Sequence, residues 1–230
     1  MDLPFEQFPA LSAIKICRHV FAQRIPGIDV SHNKAQVLER LDTAHREIRD
    51  ATGFGDWPLF TAQQVHGNKI AVLDCAVASA VPSGVDGREI PGCDGIITNR
   101  SGIALGVYVA DCCAVYIVDP KTPAIGLVHS GRKGTELGVV TNAIRQMIER
   151  FGSEPANMTV QLSPCIRPPH YEVDFAAEII RQCRKPGVQH IHDSGTCTAC
   201  DLGRYYSYRA EKGKTGRMLA VLGLIPTIAN

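Results

Sequence analysis

The chain has 230 residues, of which 45% are hydrophobic and 20% are charged, so it can bury a sizeable core and is not disordered as a whole. Its 24 Lys and Arg residues nearly balance its 23 Asp and Glu residues, which leaves a net charge of +1. This balance argues against bulk attraction to nucleic acid or to an anionic membrane surface, although a local basic cluster can still bind phosphate.

The first residues include acidic side chains and prolines where a secretory signal needs a basic start and an unbroken apolar core, so no targeting segment is predicted. The longest apolar stretch spans 16 residues, 103–118, and carries Asp111 near its middle, which is short and polar for a membrane span. We therefore expect a soluble, cytoplasmic protein whose nine cysteines are reduced. For the oligomeric state, a monomer and a small homo-oligomer are both consistent with the sequence.

Helical and strand patterns alternate irregularly and predict one α/β domain over residues 1–230. Three helices are predicted where apolar side chains recur on one face: 35–50, 135–151 and 174–184. Ser31 or Asn33 is available to cap the first helix and Asp174 the third, and Gly152 is a natural end for the second.

Strands are predicted at short apolar runs bounded by turn residues: 69–74, 94–98, 103–109, 114–118, 124–129, 158–163 and 218–224. The run 103–118 is too long for one strand, so we predict two buried strands that meet at Asp111-Cys112 or one strand that bends there. Residues 76–93 are predicted to form a loop, and residues 185–217 to be irregular.

Two of the candidate functional segments lie at strand ends. His66 stands in a Gln-Val-His-Gly turn before the strand at 69–74, and taken alone it is more simply an ordinary turn histidine than a ligand. Asp111 interrupts an apolar run, so its carboxylate must be paired, hydrogen-bonded or turned toward a cleft. The simpler interpretation of Asp111-Cys112-Cys113 is a strand end with backbone hydrogen bonds and two buried thiols.

The segment 125–134 runs from a strand through a glycine-bearing loop into a helix. Free backbone N–H groups, the helix dipole and the cations Arg132 and Lys133 together suit an anion. The glycine spacing is not that of a Walker loop, and most strand-to-helix turns of this kind bind no ligand. His129 at the strand end is either a ligand or an ordinary surface histidine.

Cys197 and Cys200 form a Cys-x-x-Cys pair with His190 and His192 upstream, which suits a local zinc site or redox chemistry. The chain has no second pair of this kind, and His190-Ile191-His192 also alternates as a strand does. Two histidines and one cysteine from separate segments would instead give the three-ligand zinc arrangement of catalytic sites. Spacing along the chain cannot show that His66, Cys112 and His129 converge in this way.

Seven motifs in a fixed order resemble those of a known family. They are Gln64-Val65-His66-Gly67, Cys93-Asp94-Gly95, Ala110-Asp111-Cys112 with Asp119-Pro120, Val128-His129-Ser130-Gly131, Ser163-Pro164-Cys165-Ile166 with His170-Tyr171-Glu172-Val173, Tyr206-Ser207-Tyr208-Arg209, and Thr215-Gly216-Arg217. Over residues 60–220 the chain resembles the YfiH-like family, whose members are also called polyphenol oxidases, laccase-domain proteins and purine nucleoside phosphorylases of the laccase-domain type.

The resemblance implies a single α/β domain with mixed β-sheets packed between helices, related to cysteine-hydrolase-like folds. It also implies one zinc ion held by His66, Cys112 and His129, with an open position for water, phosphate or substrate. Family members are reported to cleave adenosine, inosine and methylthioadenosine with phosphate, a transferase reaction, and to deaminate adenosine, a hydrolase reaction. A nucleoside and phosphate are therefore the expected partners, without nucleic acid or membrane.

The resemblance suggests roles for further residues. Cys112 would serve as a thiolate ligand, and Asp111 would orient a ligand or carry a proton. The cations expected at the phosphate are Arg132, Lys133 and Arg217. Tyr171 and Tyr208 are expected either to stack on a purine or to belong to the core. The family normally has Trp-Arg where this chain has Arg132-Lys133, and a lysine binds phosphate as a point charge rather than as a bidentate fork.

Two other functions stay open at this point. The first is copper-dependent oxidation of phenols, which an older name of the family implies. A multicopper site needs roughly ten histidines for its separate copper centres, and this chain has 8. A non-catalytic or editing role in peptidoglycan metabolism is also attached to bacterial members of the family.

Overall fold

Two six-stranded sheets form the framework of the structure, a computed structural model that describes residues 3–74 and 88–226. Strands β1 to β12 are, in chain order, Phe5–Glu6, Cys17–Ala22, Leu59–Ala62, Ile70–Leu73, Arg88–Ile90, Gly95–Thr98, Ala104–Val109, Cys113–Asp119, Ala124–Ser130, Thr159–Leu162, His190–Asp193 and Met218–Leu224. The first sheet has the order β1-β2-β12-β7-β3-β5 and the second β11-β10-β8-β9-β6-β4. Both sheets mix parallel and antiparallel pairs. In the first sheet β7 is parallel to β3 and antiparallel to β12, and in the second β10 is parallel to β11 and antiparallel to β8.

Each described helix covers an apolar face of these sheets or a loop between them. Helices α1 to α5 are Pro9–Ser12, Lys34–Ala51, Arg132–Glu136, Val139–Phe151 and Phe175–Arg184, and short 3-10 helices span Pro155–Asn157 and Thr198–Cys200. The Asn33 side chain accepts a hydrogen bond from the Gln36 N–H, and the Asp174 side chain accepts one from the Ala177 N–H. The predicted caps of α2 and α5 are therefore confirmed, with Asn33 rather than Ser31 as the cap of α2.

Strand β8 shows how one strand supplies two cores. Tyr116 and Val118 face the cluster between the two sheets, to which α2 also contributes, whereas Val115 and Ile117 face the cluster beneath α4 and α5. Successive side chains of a strand point to opposite faces, so a strand buried on both faces must be apolar at nearly every position. This burial explains the continuous apolar run that the sequence shows.

The second predicted helix, 135–151, is wrong as a single element. The chain becomes helical already at Arg132, stops after Glu136, and resumes at Val139. Gly138 separates the two helices with a positive φ of 74°, a left-handed conformation that ends a helix and that glycine adopts at low cost. Gly152, also left-handed, ends α4 as predicted.

The strand predictions are largely confirmed, including two strands within 103–118. These are β7 and β8, and they belong to different sheets. Strands β1, β2 and β3 were not predicted. The loop predicted at 76–93 is wrong at 88–90, which form β5, and its residues 76–87 lie outside the described part of the chain. The segment 185–217 contains β11 and the 3-10 helix Thr198–Cys200 rather than being wholly irregular.

Two crossings from the first sheet to the second bring the functional segments together. The chain leaves β3 in the first sheet and enters β4 in the second through residues 63–69. It makes the same change between β7 and β8 through residues 110–112. Because β3 and β7 are parallel neighbours, the two crossings lie side by side. Within the described ranges, no helix has the length and apolar character needed to cross a membrane.

Candidate metal centre and cavity

Three potential metal ligands meet where the two crossings reach the second sheet. His66 lies on the first crossing, Cys112 on the second, and His129 near the end of β9. Their donor atoms all lie within 4.8 Å of one another, and the two imidazole rings are 4.9 Å apart at 83°. The convergence that spacing alone could not show is therefore present.

Asp94, the residue before β6, supports this group through hydrogen bonds to the segment of His66 and to His129. Its fully buried carboxylate accepts hydrogen bonds from the backbone N–H of His66 at 2.8 Å and of Gly67 at 2.7 Å. Its Oδ1 also lies 3.0 Å from Nδ1 of His129, so this contact leaves Nε2 of His129 available for a metal. Burial alone would raise the pKa of Asp94, but the hydrogen bonds from His129, Gly67 and His66 lower it overall.

Cys112 and His129 form a charged pair when no metal is bound. Burial acts to raise the pKa of the Cys112 thiol, but the charge of His129 and hydrogen bonds with His129 and His66 outweigh it and lower that pKa to about 6. Burial acts to lower the pKa of His129, but the Cys112 thiolate and the Asp94 carboxylate raise it to about 9. The thiolate that zinc requires is thus already the stable form of Cys112 near neutral pH.

The backbone around the group is held in unusual conformations. Among the described residues, four that are not glycine have a positive φ: Gln64, His66, Asp111 and Lys212. All four line the same cavity. Such conformations cost energy and persist where the surrounding structure enforces them, which is typical of functional sites. The amide of Gln64 helps to enforce them because it exchanges two hydrogen bonds, of 2.6 and 2.9 Å, with the backbone of Tyr108.

Asp111 connects two other walls of the cavity. Its Oδ1 accepts a hydrogen bond of 2.7 Å from the Thr198 hydroxyl, and its Oδ2 accepts one of 2.6 Å from the Arg209 N–H. The buried carboxylate therefore ties the loops around residues 198 and 209 to the segment that carries Cys112.

The metal-ligand group opens onto a cavity of about 630 Å³. The charged side chains that line it, apart from the ligand group, are one carboxylate and five cations: Asp111, Lys34, Arg132, Arg209, Lys212 and Arg217. Aromatic rings contribute as well, with Tyr171 and Tyr208 on the wall. The cavity is thus cationic, partly aromatic and large enough for a small ligand of nucleoside size.

Four of the five other predicted site residues line the cavity. Arg132, Arg217, Tyr171 and Tyr208 line the cavity, whereas Lys133 is exposed on α3 and is not part of the lining. Two of the lining cations are already engaged, because Arg132 and Arg209 pair with Glu172 at 3.2 and 3.0 Å.

Tyr171 and Tyr208 differ in their surroundings. The Tyr171 ring has the Arg209 guanidinium 4.8 Å from its centroid and packs edge-on against Phe175. Tyr208 is 55% exposed, and the Arg217 guanidinium lies 5.8 Å from its ring centroid. Tyr171 is therefore half-buried against the core beneath α4 and α5, whereas Tyr208 is exposed at the cavity wall.

Sequence reasoning missed several residues of this site. Asp94 was noticed only as part of a motif, although an acidic residue directly before a buried strand is a signal for a buried hydrogen-bonding role. Lys34 and Lys212 come from separate segments and carry no local signal, whereas Gln64 and Arg209 stand in two of the family motifs without an assigned role. At the Cys197-x-x-Cys200 pair, the neighbouring histidine is His170, and the exposed His190 and His192 of β11 are not part of that cluster.

Comparisons with known proteins relate the sequence of this chain to one family. The profile of a family described as "Multi-copper polyphenol oxidoreductase laccase" matches residues 18–178 and 173–225. A protein of Corynebacterium glutamicum named purine nucleoside phosphorylase is 30% identical over 90% of this chain and 94% of its own. The purine nucleoside phosphorylase YlmD of Geobacillus stearothermophilus is 30% identical over 88% of this chain and 84% of its own.

Solved structures show that the fold is shared. The crystal structure of YlmD from Geobacillus stearothermophilus matches with a TM-score of 0.76 and 22% identity, covering 98% of this chain and 100% of that chain. The crystal structure of the Bacillus licheniformis protein YfiH matches with a TM-score of 0.71 and 22% identity, covering 90% and 92%. The mixed α/β fold with two mixed sheets is therefore the fold of these proteins.

Proposed function

The chain belongs to the family described as multi-copper polyphenol oxidoreductase laccase, and from that premise we propose that it is a zinc-dependent purine nucleoside phosphorylase. The proposed substrates are adenosine, inosine and methylthioadenosine with phosphate, and adenosine deamination is proposed as a second activity of the same site. Relatives named purine nucleoside phosphorylase support the first activity at the level of the enzyme class.

One observation carries the proposal: a cationic cavity has a group of two imidazoles and a thiolate in its wall. This donor set suits zinc, and three protein ligands leave one position open, as in catalytic zinc sites. Asp94 further supports a metal, because a carboxylate that binds the outer nitrogen of a ligating histidine is a regular feature of zinc sites. Zinc, when bound by His66, Cys112 and His129, would supply Lewis-acid polarisation at the open position.

The lining cations support a phosphate site in the cavity. No carboxylate within ion-pair distance of Lys34, Lys212 or Arg217 is found in residues 3–74 and 88–226, in contrast to Arg132 and Arg209. Burial and the neighbouring charge of Arg217 lower the pKa of Lys34, although Glu89 and Asp94 oppose the shift. Two cations that repel each other beside a cavity are stabilised when an anion binds between them. We therefore assign the phosphate to this side of the cavity.

In phosphorolysis, an oxygen of hydrogen phosphate forms a bond to C1′ of the ribose while the bond from C1′ to the purine nitrogen breaks. The leaving purine nitrogen takes up the proton that the phosphate gives up. The residues of this chain would hold the phosphate through Arg217 and Lys34 and present Tyr208 to the base. For Asp111 we favour positioning over proton transfer, because both of its oxygens already accept hydrogen bonds from the protein.

The proposal is tested by incubating the zinc-loaded protein with adenosine, with and without phosphate, and separating the products by chromatography. Adenine that forms only with phosphate supports phosphorolysis, and inosine formed without phosphate supports deamination. If neither product forms in protein with zinc at His66, Cys112 and His129, the proposed function is wrong.

Paired variants test which cation binds phosphate. Arg217→Gln is expected to raise the KM for phosphate about tenfold, the cost of roughly one charge-assisted hydrogen bond. Lys133→Gln makes the same cation-to-amide change outside the cavity lining and tests the contact suggested by the sequence. The exposed Lys121→Gln is the matched surface control. An unchanged KM in Arg217→Gln with a raised KM in Lys133→Gln would reverse our assignment.

Copper chemistry is the second candidate, because two histidines and one cysteine are also the ligands of blue copper sites. A multicopper oxidase needs further histidine-rich centres, and all eight histidines lie within the described residues. His19 and His45 are buried, His32 pairs with Asp29, and no described cluster combines more than two histidines. Blue absorbance of the copper-loaded protein together with phenol oxidation would favour this candidate over zinc.

A further inference from the structure

A second group of side chains that could hold a metal ion lies outside the cavity lining. Nδ1 of His170 is 3.7 Å from Sγ of Cys197 and 3.5 Å from Sγ of Cys200, and the three donor atoms all lie within 4.8 Å of one another. Tetrahedral zinc with bonds of about 2.3 Å to sulfur and 2.0–2.1 Å to nitrogen separates a sulfur and a nitrogen ligand by about 3.6 Å. The distances from the histidine nitrogen to both cysteine sulfurs are therefore already those between ligands of one zinc ion.

We propose that His170, Cys197 and Cys200 form a second metal site, which binds a thiophilic divalent cation, zinc in the first instance, and links the segments that carry its ligands. Two thiolates and an imidazole are soft ligands that select zinc over magnesium or calcium. The two thiolates would neutralise the charge of the ion. His170 and Cys200 are exposed, so the metal can reach the site from solvent and water can occupy the fourth position.

The local fold brings the ligands together without the metal. The segments around Cys165 and Cys197 run side by side as an isolated parallel bridge, with the Cys165 N–H donating to the Thr196 carbonyl at 3.2 Å. Arg167 and Asp193 form a short ion pair of 2.5 Å between the same two regions. The preformed arrangement reduces the ordering cost of binding a metal.

The proposed site would fasten two walls of the cavity to each other. Tyr171, next to His170, lines the cavity, and Thr198, between the two cysteines, donates its hydroxyl hydrogen to Asp111. A metal bound to His170 and both cysteines would therefore hold Tyr171 and Asp111 in a fixed relation. This role differs from that of the His66–Cys112–His129 group, with which the second group shares no residue.

Metal content and cysteine protection test the proposal independently of enzyme activity. Protein purified under reducing conditions is loaded with zinc, freed of excess metal, and analysed by elemental mass spectrometry. The wild type is expected to hold two zinc ions per chain, and Cys112→Ser and the Cys197→Ser/Cys200→Ser double variant one each. His192→Ala changes an exposed histidine of nearby β11, and as the matched control it is expected to retain both.

Alkylation of the wild type gives a readout that does not depend on whether a variant folds. Zinc is expected to slow the alkylation of Cys197 and Cys200 at least tenfold, measured for each peptide by mass spectrometry. Cys112, followed in the same digest, reports the first site separately. The proposal is overturned if the double variant binds as much zinc as the wild type, if zinc leaves both cysteines equally reactive, or if the two cysteines form a disulfide in the zinc-loaded, reduced protein.

Discussion

Gly131→Ala tests the position of Cys112 in the candidate metal centre. Gly131 lies directly before α3 with φ of −99°, so alanine meets no conformational barrier there. Its new Cβ would instead lie 2.6 Å from Sγ of Cys112, about 1 Å closer than the 3.5–4.0 Å of ordinary contacts. The rotamer and backbone shifts that relieve such overpacking cost about 1–3 kcal/mol. If Cys112 moves aside, we expect the loss to appear as about 10–100-fold weaker zinc binding, the range found when the support of a metal ligand is disturbed.

The assay is the zinc concentration that protects Cys112 from alkylation, measured by mass spectrometry of its peptide. The neighbouring Cys113 is fully buried and should not react, so the signal belongs to Cys112. Gly203→Ala is the matched control, because its Cβ would lie 3.3 Å from a movable carboxylate of Asp201 and outside the cavity lining. Equal protection of Cys112 in wild type and Gly131→Ala would refute the placement of Cys112 as a metal ligand beside Gly131.

Three further predictions concern charge and protonation. Asp94→Asn removes the charge behind His129 and should weaken zinc binding about 10–100-fold while the protein stays folded, as isothermal titration and circular dichroism would show; unchanged affinity would contradict the supporting role of Asp94. In metal-free protein the alkylation rate of Cys112 should rise with pH around a midpoint of about 6, because the thiolate forms as the proton leaves; a midpoint near that of an ordinary thiol would contradict the pairing with His129. Burial lowers the pKa of His19 to about 4, and its Nε2 accepts a hydrogen bond from the Phe8 N–H, so the neutral ring is the folded form. Because the unfolded state binds this proton first, the contribution of neutral His19 is complete above pH 6.5 and declines as the pH falls toward 4, by up to about 3 kcal/mol. Urea unfolding of wild type and His19→Gln at pH 7 and pH 5 measures this difference, and an equal pH dependence in both would count against it.

The sequence was most informative where burial is strong and local. The apolar run 103–118 predicted two buried strands meeting at Asp111-Cys112, and that junction is the crossing between the sheets. The helix predicted at 135–151 is interrupted because its apolar pattern contains a glycine. Gly138 adopts a left-handed conformation and divides the element in two.

Strands with polar residues or little length escaped prediction. Strand β2, Cys17–Ala22, contains Arg18 and His19, and only its place between β1 and β12 makes it a buried strand. Strand β3, Leu59–Ala62, is four residues long and gains its partners β5 and β7 from other parts of the chain. Pairing of this kind is decided by tertiary context, which strand propensity does not contain.

For the site as well, some residues could be predicted from the sequence and others could not. Family motifs pointed to His66, Cys112 and His129, and the fold brings them together. The sequence offered His190 and His192 as neighbours of the Cys-x-x-Cys pair because they precede it, but the fold supplies His170, from 27 residues before Cys197. Local spacing identifies ligands that share one element, and it cannot identify ligands that meet through the packing of separate segments.

The most direct test of the account is a zinc titration of the metal-free protein that follows phosphate-dependent release of adenine from adenosine. We predict that adenine release rises in proportion to the protection of Cys112 from alkylation and is absent in Cys112→Ser at every zinc concentration. Adenine release by metal-free protein, or by Cys112→Ser at the wild-type rate, would contradict the claim that His66, Cys112 and His129 hold the metal on which the reaction depends.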